Sequence, residues 1–79
     1  MYTASEQAAL MKFGARLRFL REQKGFTLRE LSYASKVDNS KISKMESGKI
    51  NITLLTLLDL ASALEISPMS LLDIDENNL

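Results

Sequence analysis

The sequence contains no cysteine and no histidine. Without thiols or imidazoles there are no disulfides, no thiolate nucleophile, no zinc site of the usual kind and no imidazole acid–base catalyst. The missing cysteines are consistent with a reducing cytosol. No run approaches the roughly 20 apolar residues of a membrane span, and the first residues lack the basic-then-apolar pattern of a signal peptide. The expectation is a soluble cytoplasmic protein. At 79 residues, 46% of them apolar, the chain is long enough for one domain with one core.

Basic residues are absent from the last thirty positions. All ten Lys and Arg lie at or before Lys49, against five acidic residues there, so that part carries +5; residues 50–79 carry five acidic groups, giving −5. The zero net charge therefore hides a cationic front and an anionic back, a field that orients the molecule toward a polyanion without long-range pull.

Glycine and proline are scarce, with three and one respectively, and Gly25, Gly48 and Pro68 fall at helix boundaries. Thr3 and Glu6 have capping-box spacing, and Leu10, Phe13, Leu17 and Leu20 follow at helical intervals, which predicts a first helix reaching Lys24. Thr27 with Glu30, flanked by Phe26 and Leu31 as a hydrophobic staple, starts a second helix over about 28–35. Asp38, with Val37 and Ile42 as its staple, starts a third over about 39–47, which stops at Gly48. The few residues between these two helices force a steep angle, with Leu31, Val37, Ile42 and Met45 facing inward: a helix-turn-helix. Thr53 opens a fourth helix over about 54–64, and Ser67 caps a fifth with Pro68 at its first position. The predicted inward stripe of the fourth helix is Leu54, Leu57, Leu60, Ala61 and Leu64. That leaves Leu55 and Leu58 on a second apolar stripe, which suggests a dimer interface unless the fifth helix or the amino terminus covers them.

From Phe13 to Asp73 the chain resembles the Cro and phage-repressor type of helix-turn-helix family, also called Xre-like or lambda-repressor-like. Gly14, Leu17, Leu20 and Arg21 on the first helix carry the resemblance, with Leu31 on the second and Val37, Ile42, Met45, Glu46 and Gly48 around the third. Leu57, Ala61, Leu64, Ile66 and Leu71 extend it. The likeness implies an all-α, five-helix domain over residues 1–79, with residues 1–11 as an amino-terminal extension of the first helix and 74–79 as a polar tail. It also implies an ion pair between Arg21 and Glu46 that ties the first helix to the end of the third. Three positions depart from the family pattern. Leu28 stands where a phosphate- or base-contacting Gln is usual, Ser32 replaces a small Ala, and Lys36 replaces the turn glycine. A left-handed conformation at Lys36 would cost about 1 kcal/mol.

The resemblance implies that the amino-terminal part of the third helix faces the major groove of double-stranded DNA. Asn39, Ser40 and Lys44 are then the expected base contacts, because Asn pairs with adenine, Lys donates to guanine and Ser serves either. Lys36, Lys41, Ser43, Lys49 and the backbone near Thr27 and Asn51 are expected at phosphates, which fix register without reading sequence. The competing account of each side chain is a solvated polar face. Ser40 and Lys44 also stand one turn apart, like a nucleophile and an amine base, but an exposed lysine is charged near neutral pH and no oxyanion site accompanies it, so no enzyme is expected. Asp73, Asp75 and Asn77 copy the opening of a calcium loop without its closing Glu, so no metal is expected. Nor is any other cofactor or small-molecule effector expected.

The expectation is thus a transcriptional regulator binding a roughly palindromic operator as a homodimer, similar to small phage repressors and to restriction-modification controller proteins. The alternatives are an antitoxin whose apolar surface holds a toxin, or an interaction module that keeps the fold without binding DNA.

Overall fold

A computed structural model describes residues 1–74. These form five helices: α1 (Ala4–Lys24), α2 (Leu28–Ser35), α3 (Asn39–Glu46), α4 (Leu54–Leu64) and α5 (Pro68–Leu71). The tail expected at 74–79, with Asp75 and Asn77, lies outside the described residues beyond Ile74.

Each helix starts where a short polar side chain can take up an orphan N–H group. Thr3 and Thr27 make full capping boxes with Glu6 and Glu30, while Asp38 accepts from the Lys41 N–H, Thr53 from Thr56 and Ser67 from Met69. The ends differ more. Gly25 closes α1 in the left-handed conformation, donating to the carbonyls of Arg21 and Glu22. Lys36 and Glu65 close α2 and α4 in that same region, with φ of 63° and 57°. A side chain there crowds the following carbonyl, so both positions carry the penalty that glycine avoids. α3 ends one residue earlier than the sequence suggests, with Ser47 as its cap and Gly48 turning the chain at φ 73°.

The core is contributed by every helix. Leu17, Leu31, Ile42, Leu60 and Leu71 are fully buried, with Phe13, Val37, Met45, Leu57, Ala61 and Leu64 packed around them. α3 lies against α1 and α2, and α4 against α2 and α5. The α1–α3 contact is close: a Cβ at Gly14 would overlap the carbonyl oxygens of Met45 and Glu46. Only a glycine lets the two backbones meet this way.

One core assignment needs correction. Leu54, expected on the inward stripe of α4, is 70% exposed. It is the first residue of α4, and the hydrophobic layer begins only at Leu57, so the helical period continues past the edge of what it packs against.

Candidate nucleic-acid interface

α2 and α3 form the helix-turn-helix, and three devices fix α3 in place. The first is the buried set Leu31, Val37, Ile42 and Met45. The second is polar: Ser32 Oγ donates to the Val37 carbonyl at 2.6 Å, and Ser35 Oγ donates to Leu31 while accepting from the Val37 N–H. The turn carbonyl and amide are satisfied inside the motif, which rigidifies it.

The third is the Arg21–Glu46 pair. Arg21 Nε and Nη2 donate to the two Glu46 carboxylate oxygens at 2.6 and 3.0 Å, and Nη1 donates to the Phe26 carbonyl at 2.7 Å. Both side chains are about nine-tenths buried. The hydrogen bonding of Arg21 to the Glu46 carboxylate raises the Arg21 pKa above its ordinary value, outweighing the burial that opposes charge. One guanidinium thus holds the end of α1, the loop before α2 and the end of α3 together.

With α3 held this way, its outer face presents Asn39, Ser40, Lys41, Ser43 and Lys44, all exposed. Asn39 is the first helical residue after the Asp38 cap, Ser40 and Lys41 complete the turn, and Lys44 stands one turn on. The remaining cations expected at DNA border this face. Lys36 is exposed at the turn, and Lys49 is exposed just after Gly48. Thr27 Oγ1 caps α2 and the Thr27 N–H donates to Glu30, which leaves the neighbouring Leu28 and Arg29 N–H groups at the helix start for an anion. Asn51 is exposed in the α3–α4 loop, where its Oδ1 accepts from the Ile52 N–H at 2.8 Å.

The amino-terminal extension is helical and braces that loop. Gly48 packs against the Met11 backbone, and Tyr2, Glu6, Ala9 and Leu10 share a hollow with Asn51. Sequence reasoning located the extension but gave no reason for it to touch the loop, since neither segment carries a pattern naming the other.

On another side of the molecule Leu55 is 73% and Leu58 39% exposed, with Leu54 beside them and Met69 and Leu72 exposed on and after α5. Neither α5 nor the extension covers Leu55. A long-range bond also holds α5: Arg16 Nε donates to the Ser70 carbonyl at 2.8 Å, and Arg16 approaches Asp73 at 3.8 Å. Among the described residues no group of three or more His, Cys, Asp or Glu is placed to hold a metal, and no helix is long and apolar enough to cross a membrane.

Residues 14–74 match the model of a helix-turn-helix domain family. Two solved structures share the architecture. The restriction-modification controller protein C.AhdI from Aeromonas hydrophila is 44% identical, with a TM-score of 0.80 over 81% of this chain and 97% of that one. The clp gene regulator ClgR from Corynebacterium glutamicum is 36% identical, with a TM-score of 0.76 over 81% of this chain and 83% of that one. Among curated proteins none matches.

Proposed function

Because the chain belongs to this helix-turn-helix domain family of DNA-binding regulators, we propose that it binds a roughly palindromic operator as a homodimer and controls transcription there. The observation that carries the proposal is the outer face of α3, an exposed row of Asn, Ser and Lys side chains braced from behind by a buried ion pair. Such a face can enter a major groove and offer hydrogen bonds at fixed positions. Asn39, Ser40 and Lys44 read bases; Lys36, Lys41, Ser43, Lys49 and the backbone near Thr27 and Asn51 hold phosphates.

The dimer is built on Leu55 and Leu58, whose exposure beside the buried stripe of Leu57, Leu60, Ala61 and Leu64 is what a second copy would remove. Two copies related by a two-fold axis read two half-sites about 34 Å apart, which makes the operator palindromic. The likeness to C.AhdI favours control of restriction-modification genes, exerted through protein concentration and dimerisation.

Binding-site selection with the full chain and its variants tests the reading. Asn39→Ala and Lys44→Ala should each relax preference at particular base pairs and cost about 1–3 kcal/mol on the best site. Lys49→Ala should weaken all sequences alike. Leu55→Asp with Leu58→Asp should sediment as a folded monomer that binds far more weakly. Unchanged base preference in both α3 variants would refute the placement of the recognition helix, and a persistent dimer in the double variant would place the interface elsewhere.

A further inference from the structure

Beside the recognition helix lies a hollow of about 300 Å³ lined by Arg18, Arg21, Leu28, Ser43, Glu46 and Ser47. It joins the start of α2 to the carboxyl-terminal half of α3, with α1 as its floor. Its acidic member is already engaged, because both Glu46 oxygens accept from Arg21. Arg18 is different. Its side chain is 64% exposed, and its one partner among the described residues is Glu22, reached through Nε at 3.2 Å. The two terminal nitrogens of Arg18 and the Ser43 hydroxyl make no hydrogen bond among the described residues, and the Ser47 hydroxyl only turns back onto the Ser43 and Lys44 carbonyls.

The wall between these groups is Leu28, half-buried against the core. It contributes no hydrogen bond at the start of α2, where backbone N–H groups and the helix dipole favour an anion. An apolar wall also excludes water, so a charge-assisted bond formed against it is less screened than on open surface.

We infer that this hollow seats one phosphate of the DNA backbone, gripped by the Arg18 guanidinium with the Ser43 and Ser47 hydroxyls, and that Arg18 supplies the polar contact Leu28 cannot make. The guanidinium fork matches two phosphate oxygens at once. Its pairing with Glu22 is an exposed one within a single helix, weak enough to be exchanged for a phosphate. Ser43 thus gains a specific partner, and Arg18 and Ser47 join the contact surface. The inference rests on the proposal that the chain binds DNA.

The test uses the full chain and an operator obtained by selection. Arg18→Ala should bind every sequence roughly tenfold more weakly, as expected for losing a hydrogen bond to a charged group. It should also lower the slope of log K against log salt by about 0.9, with melting behaviour unchanged because Arg18 is exposed. Arg18→Lys should keep the slope and recover part of the affinity, since it retains charge but not the fork. Phosphate ethylation should show one interfering position per half-site that vanishes in Arg18→Ala. Wild-type affinity and slope in Arg18→Ala would overturn the inference alone, as would a loss confined to particular base pairs. Wild-type protein that enriches no operator and shows no salt-dependent DNA binding would overturn the DNA-binding reading itself, and Lys49→Ala, with its own expected fall in slope, tells the two failures apart.

Discussion

Removing the Glu46 carboxylate should destabilise this domain out of proportion to a single side chain. In Glu46→Ala the Arg21 guanidinium stays buried with the Phe26 carbonyl as its one hydrogen-bond acceptor among the described residues and the half-exposed Glu22 carboxylate 4.0 Å away. Breaking a buried pair by taking one partner costs about 3–5 kcal/mol, because the remaining charge is uncompensated. A chain of this length has a total stability of about 4–12 kcal/mol, so the loss is a large share of the whole. At roughly 4–8 °C per kcal/mol for a domain of this size, melting should fall by more than about 12 °C. Replacing both partners by apolar residues, as Arg21→Met with Glu46→Leu, removes the orphan charge and should cost much less than the two single changes added together. Urea unfolding of the four proteins closes the cycle, provided the denaturant slope stays constant. The damage should be concentrated on α3, since Glu46 is its last residue, and operator binding should suffer even in conditions where most molecules are folded. A cost for Glu46→Ala below about 1 kcal/mol, the range of an exposed pair, would refute the claim that this bridge fixes the recognition helix.

Three further outcomes are expected. Gly14→Ala should destabilise by about 1–3 kcal/mol in urea, because its methyl group meets backbone carbonyls that cannot rotate away; a neutral result would mean that α1 and α3 can separate freely. Lys36→Gly should raise stability by about 1 kcal/mol by relieving a left-handed lysine, while lowering the salt slope of DNA binding by about 0.9; a less stable glycine variant would contradict the strain. Lys24 hydrogen-bonds Glu65 and holds its carboxyl below the usual carboxylate range. A lowered folded pKa gives stability that is present above the unfolded value and lost as pH falls through the folded one. The small gap in urea midpoint between wild type and Glu65→Gln should therefore close in acid; a gap constant with pH would exclude this pair as its source.

Helix starts were legible because they are local: Thr3, Thr27, Asp38, Thr53 and Ser67 each satisfy N–H groups within three residues. The left-handed turn at Lys36 was anticipated only through the family resemblance, whose turn glycine stands at that position. What escaped the sequence was set by distance along the chain. Arg16 reaches a carbonyl 54 residues away, and Lys24 a carboxylate 41 residues away. No spacing rule encodes either. Leu54 was misassigned because periodicity reports which face a residue shares but not where the opposing layer ends. At the candidate interface, the missing amide at Leu28 was visible in the sequence, whereas the neighbouring Arg18 was not, because only the packing of α1 against α3 brings it there.

The division of charge along the chain also sets two equilibria against each other. The residues that would pair two copies belong to a stretch of sequence without a cation, in which Asp59 stands next to Leu58 while Glu65 and Asp73 are already matched by Lys24 and Arg16. A two-fold pairing through Leu55 and Leu58 would bring Asp59 toward its own copy, and added salt screens that repulsion. The same salt loosens the grip on phosphates. Dimerisation should thus strengthen with ionic strength while DNA binding by the assembled dimer weakens, so the salt slope measured at low protein concentration will understate the number of phosphates held. In dilute solution at low salt the proposed dimer would be limited by finding its twin, and at high salt by holding its operator, with an optimum between them that shifts with the number of copies present.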